Sequence, residues 1–174
     1  ALAIAMLRTR PVELNDKQAV IYRLGQFNRI EGPGLFVINR SLDTIEREIN
    51  IRTEPADYRI PNLTSYGVPF GYTLNLWTRT NLKAAAKGNQ ETLRKLAQFT
   101  DEERRKQVIT LLRSALLAAL REQQASPLPE EAGVIQKLLP VLPSTEAAQE
   151  LLGKIRDTLV TSLPSVGVFL DTAY

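Results

Sequence analysis

Residues 22–38, YRLGQFNRIEGPGLFVI, hold two apolar runs separated by glycine-rich turns. The first run begins at Ala19 and reaches Gly25, and we expect the next three residues, QFN, to complete a turn. A second corner, GPG at 32–34, precedes the apolar run LFVI at 35–38, which predicts another strand. Near its N-terminus the chain is therefore predicted to form short antiparallel strands joined by tight turns.

The alternation of apolar and polar residues predicts further strands. Ile45, Ile49 and Ile51 alternate with polar residues, which indicates a half-buried strand. In FGYTLNLW (70–77) the large apolar side chains again fall on one face. Trp77 lies on the opposite, polar face. It marks either a contact surface or, in the interpretation that we prefer, an edge residue that a later helix covers.

From residue 82 the apolar residues recur at helical spacing, with a break predicted at Gly88-Asn89. Thr100 and Glu103 form a capping box that predicts the start of the next helix. Residues 146–163 repeat the amphipathic pattern, and GVFLD (167–171) predicts a short closing strand. Residues 125–146 are rich in proline and are interpreted as an insertion or linker.

These elements predict an α+β fold. A mostly antiparallel sheet forms in the N-terminal half, amphipathic helices pack on it, and a closing helix–strand unit completes the domain. The predicted interaction face on the long helix consists of Val108, Leu112, Leu116 and Leu120, although packing against the chain's own sheet is the simpler interpretation.

Composition excludes several classes of function. The 174 residues include neither cysteine nor histidine, so a disulfide framework and catalysis that needs a cysteine or histidine side chain are excluded. We predict no catalytic residue, no cofactor and no metal site. The net charge of +3 is spread along the chain without a basic stripe, so nucleic acid is not expected as a partner.

The first seven residues, ALAIAML, are apolar, and Arg8 and Arg10 follow. Seven helical residues span only about 10 Å, too little to cross a bilayer core of about 30 Å. From the residues alone two interpretations stay open, a buried N-terminal helix or strand and the last two turns of an upstream transmembrane helix. Arginines after such a helix favour the cytoplasmic side.

The run QAVIYRLGQFNRIEGPGLFVI resembles the opening of the SPFH (band 7) domain, the superfamily of stomatins, prohibitins and flotillins. LDTIEREINIRT (42–53), SYGVPFGYTLNLWTR (65–79) and LLGKIRDTLVTSLPSVGVFLD (151–171) are similar to later parts of that domain, in the family's order. The residues that carry the resemblance as a fold motif are Gly25, Phe27, Pro33, Gly34, Leu35, Gly67 and Gly167. None has a side chain suited to chemistry, so they are interpreted as fold-defining.

The resemblance implies a domain over residues 11–174 that is attached to a plasma membrane or an inner organellar membrane. It favours an N-terminal membrane anchor, whose end is residues 1–10. The residues assigned to the anchor are Ala1, Leu2, Ala3, Ile4, Ala5, Met6, Leu7, Arg8 and Arg10. The side of the membrane that holds the domain stays open.

The resemblance also implies self-association, with copies of the chain or a related SPFH paralogue. Our first hypothesis is a non-enzymatic scaffold that organises or modulates integral membrane protein complexes, such as a membrane protease. The alternative is an accessory subunit that docks on one specific membrane complex at low copy number. A hydrolase is disfavoured, because the sequence supplies no oriented nucleophile and base.

Overall fold

The computed structural model describes residues 9–65, 68–125 and 146–173. Its strands are β1 (Thr9–Leu14), β2 (Lys17–Arg23), β3 (Gln26–Glu31), β4 (Gly34–Asn39), β5 (Asp43–Asn50), β6 (Glu54–Ser65), β7 (Val68–Thr80) and β8 (Val168–Ala173). Its helices are α1 (Leu82–Ala86), α2 (Gln90–Gln98), α3 (Asp101–Ala125) and α4 (Glu146–Ser162), and a 3₁₀ helix, Leu163–Val166, connects α4 to β8. The predicted α+β class is confirmed.

The strands form three antiparallel sheets in place of the single sheet expected. The first pairs β1 with β4, the second has the order β3-β2-β5, and the third has the order β6-β7-β8. The first two sheets comprise the N-terminal strands, and the third carries the two long helices. The alternation of apolar and polar residues along a strand does not reveal which strands pair. The division into three sheets was therefore not predictable from the sequence.

The central strand β2 explains why its apolar residues are consecutive. Ala19 and Ile21 pack in one cluster with Leu14, Phe36 and Ile38 of the first sheet. The intervening Val20 points to a second cluster, which contains residues of α1 and α2. A strand with both faces buried shows a continuous apolar run where a half-exposed strand would alternate.

The largest core lies between the third sheet and the helices α3 and α4. Its buried residues are Tyr58, Ile60, Leu74, Leu76, Val108, Leu112, Ala115, Leu116, Ala119, Leu120, Leu151, Ile155, Leu159, Leu163, Val166 and Val168. Tyr58 pairs with Leu74 across β6 and β7, so both side chains project from the same face of the sheet. This cluster holds most of the leucines that the described helices bury.

Side-chain caps begin the shorter helices and the long one. Asn81 accepts from the backbone N–H of Ala84 at α1, and Asn89 accepts from Glu91 and Thr92 at α2, which confirms the predicted break. At α3 the Thr100 N–H donates to Glu103 Oε2 (2.8 Å) while the Glu103 N–H donates to Thr100 Oγ1 (3.2 Å). The predicted capping box is confirmed.

A buried glutamine joins the second sheet to the third. Gln18 in β2 is 1% exposed. Its Nε2 donates to Asn81 Oδ1 (2.9 Å), and its Oε1 accepts from the Leu82 N–H (3.0 Å). The Asn81 N–H in turn donates to the Gly167 carbonyl (2.9 Å). Three segments that are distant in sequence meet at this polar junction.

Three local predictions are wrong. Residues 26–28 do not form the turn, because they belong to β3 and the reversal occurs at Leu24 and Gly25. Ile51 lies beyond the end of β5. Trp77 is 40% exposed on the central strand β7, where it alternates with the residues that contact α3 and α4. It is neither at an edge nor covered by a helix.

Candidate functional site

The turn between β2 and β3 exposes a leucine in an unusual conformation. Arg23 pairs with Gln26, which leaves Leu24 and Gly25 as a two-residue turn. Their φ angles are 51° and 79°. Two consecutive positive φ values suit the right-handed twist of a hairpin, and Asn-Gly is the usual solution. Here leucine takes the first position with 76% of its surface exposed.

A second turn lies directly against the first. Residues 40–42 connect β4 to β5, and the Leu42 N–H donates to the Asn39 carbonyl (3.0 Å). The Leu24 N–H donates to the Leu42 carbonyl (3.0 Å), so the two turns are tied together. Leu42 is 39% exposed. We call the surface formed by Leu24, Arg40 and Leu42 the leucine tip.

Asp43 holds the leucine tip in place from inside. Its carboxylate accepts from Arg23 Nε (2.7 Å) and Nη2 (3.2 Å) and from the Asn39 N–H (3.0 Å). Arg29 Nη2 lies 3.9 Å away. The hydrogen bond from Arg23 is the main cause that lowers the pKa of Asp43 below its ordinary value. An ionised, buried carboxylate therefore links both turns through charge-assisted hydrogen bonds.

The N-terminal end of β1 lies at this same end of the molecule. β1 and β4 are antiparallel, and Thr9 at the start of β1 pairs with Asn39 at the end of β4. The chain therefore enters β1 beside the turn that carries Arg40 and Leu42. Arg8 alone separates Thr9 from the apolar run ALAIAML.

A cleft of about 530 Å³ is the other candidate site, and it lies between the first half of β6 and the start of α3. Arg104, only 4% exposed, donates from Nη1 to Asp101 Oδ1 (2.9 Å) and from Nη2 to the carbonyls of Leu96 and Phe99 (both 3.3 Å). Its Nε has no hydrogen-bond partner among the described residues. Arg104 thus serves mainly to bind the C-terminal end of α2.

The other polar groups of the cleft also serve the fold. Arg105 lies over the Tyr58 ring, 6.0 Å from its centroid, and donates to the Asp57 carbonyl on the free edge of β6 (3.4 Å). Pro55, two residues earlier on the same edge, offers no N–H to a neighbouring strand. Burial raises the pKa of the Tyr58 phenol, which stays neutral at physiological pH and is unsuited to act as a base. Arg105 and Pro55 therefore protect the free edge of β6 from pairing with another strand. Among the described residues, the side chains that line this cleft form no catalytic arrangement.

Most of the predicted anchoring residues, 1–8, lie outside the described residues, as does Gly67 of the fold motif. Arg10 lies in β1 opposite Ile38 and is exposed, so the folded region begins before the predicted boundary at residue 11.

The remaining fold-motif residues are found at or next to chain reversals. Gly34 and Gly167 have φ values of 118° and 81°. Pro33 follows a cis peptide bond, and Leu35 is 73% exposed on β4. Phe27 contacts Tyr22 edge to face, with ring centroids 6.1 Å apart.

The predicted interaction face on α3 is used inside the fold. Val108, Leu112, Leu116 and Leu120 are each at most 4% exposed and pack in the largest core. This placement agrees with the simpler interpretation, in which the face covers the chain's own sheet.

Sequence reasoning missed Asp43, Leu24 and Leu42. The signal for Leu24 was its position just before Gly25, where a two-residue turn requires positive φ. The sequence around Leu42 and Asp43 did not indicate their roles, because a leucine and an aspartate are both common beside turns.

Within the described ranges no group of three or more acidic side chains is arranged to hold a metal ion. Among the helices of those same ranges, none is both long and apolar enough to cross a bilayer. No protein-family model matches the chain. No curated protein matches it either.

Proposed function

We propose that this chain is a membrane-anchored, non-enzymatic scaffold related to the SPFH domain. In this role it self-associates and organises or modulates an integral membrane complex, such as a membrane protease. One observation carries the membrane part of the proposal. The uncharged run ALAIAML leads through Arg8 straight into β1, whose first residue, Thr9, is already paired with Asn39. Such a short connection holds a folded domain close to the bilayer surface.

The positions of the motif glycines support the relationship to the SPFH domain. Gly25, Gly34 and Gly167 each have a positive φ, in a region that glycine enters at little cost. They occur at the β2–β3 turn, at the start of β4 and before β8. These three motif glycines thus lie where the backbone conformation favours glycine.

The state of the carboxylates supports a non-enzymatic role. Asp43, Glu91 and Glu103 have pKa values below the ordinary range, because Arg23, Lys95 and the Thr100 N–H respectively hydrogen-bond to them. A carboxyl group that acts as a general acid near neutral pH needs a raised pKa, because it must keep its proton. These three groups are therefore structural anions.

The test is the mass of the native complex. Membranes containing the full-length protein are floated on a density gradient, extracted in mild detergent and sized, and the co-purifying proteins are identified. Many copies of the chain in one particle are the expected result. One or a few copies beside a defined set of other subunits would favour the accessory docking subunit.

Variants at Ile4 make the flotation test specific for the anchor. Ile4→Glu places a charge within the apolar run and is expected to move the protein out of the floating fraction, because an ionised side chain in the hydrocarbon core is costly. Ile4→Val is the matched control and is expected to float like the parent chain. Parent protein that stays in the soluble fraction as a monomer would contradict the proposal.

A further inference from the structure

We propose that the leucine tip, formed by Leu24, Arg40 and Leu42, is the part of the folded domain that contacts the lipid surface of the membrane. This inference rests on the proposed function, since it specifies how the anchored domain is oriented. Its partner is a bilayer with anionic headgroups, whose apolar interior accepts the leucines and whose surface attracts the arginines.

Leu24 has a backbone conformation that is unfavourable for leucine. A residue with a Cβ is strained at a φ of 51°, and glycine or asparagine would fit the turn better. The Leu24 side chain gains little from packing within the chain, because it is 76% exposed. Leucine at this position therefore serves no evident purpose in the fold, and a contact outside the chain accounts for it.

Leu24 is not isolated. Single exposed leucines are common on protein surfaces and need no explanation. Here the hydrogen bond from the Leu24 N–H to the Leu42 carbonyl holds two exposed leucines on adjoining turns. Asp43 fixes both turns from below through Arg23 and the Asn39 N–H. A buried, hydrogen-bonded carboxylate therefore supports the pair of leucines.

Charge favours a lipid surface as the occupant. Arg40 is exposed and makes no ion pair with any acidic side chain in the described ranges. Arg23 precedes Leu24, and its side chain is 45% exposed although it pairs with Asp43. Leucines bordered by arginines at a membrane interface combine apolar insertion with attraction to anionic lipid.

The chain enters β1 at the same end of the domain as the leucine tip. The Thr9–Asn39 pair places the entry of ALAIAMLR at the end of the ribbon that continues into Arg40 and Leu42. If the apolar run is in the membrane, the leucine tip faces it. The tip is small beside a stable protein–protein interface of about 1,200 Å² or more, but an anchored domain needs only a local contact to fix its orientation.

The absence of cysteine from the sequence makes a direct test simple. Leu24→Cys and Leu42→Cys are prepared separately in the full-length protein and labelled with an environment-sensitive fluorophore. Val160→Cys on α4, where the parent side chain is 53% exposed, is the matched control. The proteins are reconstituted into vesicles of phosphatidylcholine and phosphatidylserine, and only floated protein is measured.

The expected result is quenching of the labels at positions 24 and 42 by spin-labelled lipid, with most of their quenching by aqueous iodide lost. The label at position 160 is expected to show the reverse. Equal iodide quenching at all three positions in floated protein would overturn the inference and leave the anchor intact. Protein that does not float would overturn the proposed function as well.

Two variants separate lipid contact from other causes. Leu24→Gly suits the positive φ and keeps the turn, so lipid quenching of a label at Leu42→Cys is expected to fall without loss of folding. Arg40→Glu is expected to weaken that quenching in anionic vesicles more than in neutral ones. Labels that are shielded from iodide, insensitive to quencher lipid and close to labels on neighbouring copies would assign the tip to an interface between copies instead.

Discussion

The two halves of the molecule distribute their apolar residues in opposite ways. One half consists of the first two sheets with α1 and α2, and the other consists of the third sheet with α3 and α4. The third sheet with α3 and α4 encloses one cluster of sixteen buried residues. A cluster of eight buried residues lies between the second sheet and the helices α1 and α2, and one of five lies between the first two sheets. Among the described residues, four of the six exposed large apolar side chains lie in β1–β5 or their turns, namely Leu24, Leu35, Val37 and Leu42.

Among the described residues, two of the three buried polar or charged side chains belong to the first two sheets and their turns. These are Gln18 and Asp43, which hold a junction and a pair of turns, while the third, Arg104, lies at the start of α3. A region with small cores and exposed apolar side chains has fewer buried apolar contacts to stabilise it. A region with a large continuous leucine core is arranged to be stable. We infer that most of the folding free energy comes from the third sheet with α3 and α4.

The largest expected effect tests that division directly. Leu112→Ala empties a fully buried position in α3 and is expected to lower the free energy of unfolding by roughly 3–4 kcal/mol. Ile38→Ala in the five-residue cluster is expected to cost less, roughly 2 kcal/mol, because its surroundings are closer to solvent. Urea unfolding of both variants provides the comparison. Equal losses would break the distinction between the two halves.

The next effect concerns the contact between the halves. An alanine Cβ at Gly167 would lie 2.5 Å from Leu82 Cδ2, and Leu82 is fully buried. We expect Gly167→Ala to destabilise by roughly 2–3 kcal/mol, from the strained φ and the clash together. Gly25→Ala is the matched control, with nearly the same φ and open space around the Cβ, and about 1 kcal/mol is expected. Thermal unfolding of the two variants would contradict the packing argument if the losses were the same.

Asp43 provides a smaller effect with a characteristic pH dependence. Asp43→Asn leaves Arg23 and Arg29 without their buried carboxylate and is expected to cost about 1–2 kcal/mol near neutral pH. Because the pKa of Asp43 is lowered in the folded state, its stabilisation is complete above the ordinary aspartate pKa of about 3.9. It is lost as the pH falls through the lowered folded pKa.

Unfolding free energies measured across acidic pH check this sign. The difference between parent and Asp43→Asn should shrink as the solution becomes more acidic than that pKa. A difference that stays constant down to strong acid would mean that the carboxylate charge contributes nothing.

The smallest effect is expected at the start of α3. Thr100→Ala removes the hydroxyl that accepts from the Glu103 N–H, at an expected cost of about 1 kcal/mol. Thr100→Ser keeps the cap and is the control. Chemical denaturation followed by circular dichroism would contradict the capping argument if serine and alanine had equal effects.

Local structure was accessible from the sequence because short-range chemistry determines it. The alternation in β7, the break at Asn89 and the capping box at Thr100 each depend on residues within a few positions of one another. Gly25 correctly predicted a chain reversal, although the turn begins one residue earlier, at Leu24.

Long-range pairing was not accessible. The central position of β7, which leaves Trp77 exposed between two strands, depends on β8, about ninety residues later. The burial of Gln18 and Asp43 was equally hidden, since their side-chain partners, Asn81 and Arg23, come from other segments of the chain. The leucine tip depends on such a partner, because Asp43 holds the two turns together.

Gln18 provides a second path for a force that passes between the second and third sheets. Its side-chain amide hydrogen-bonds to Asn81 and Leu82, at the junction between β7 and α1, and the Asn81 N–H donates to the Gly167 carbonyl. A pull on the N-terminal strands therefore reaches the third sheet through crossed hydrogen bonds as well as along the chain. A hinge motion between the second and third sheets therefore requires that the hydrogen bonds of Gln18 break.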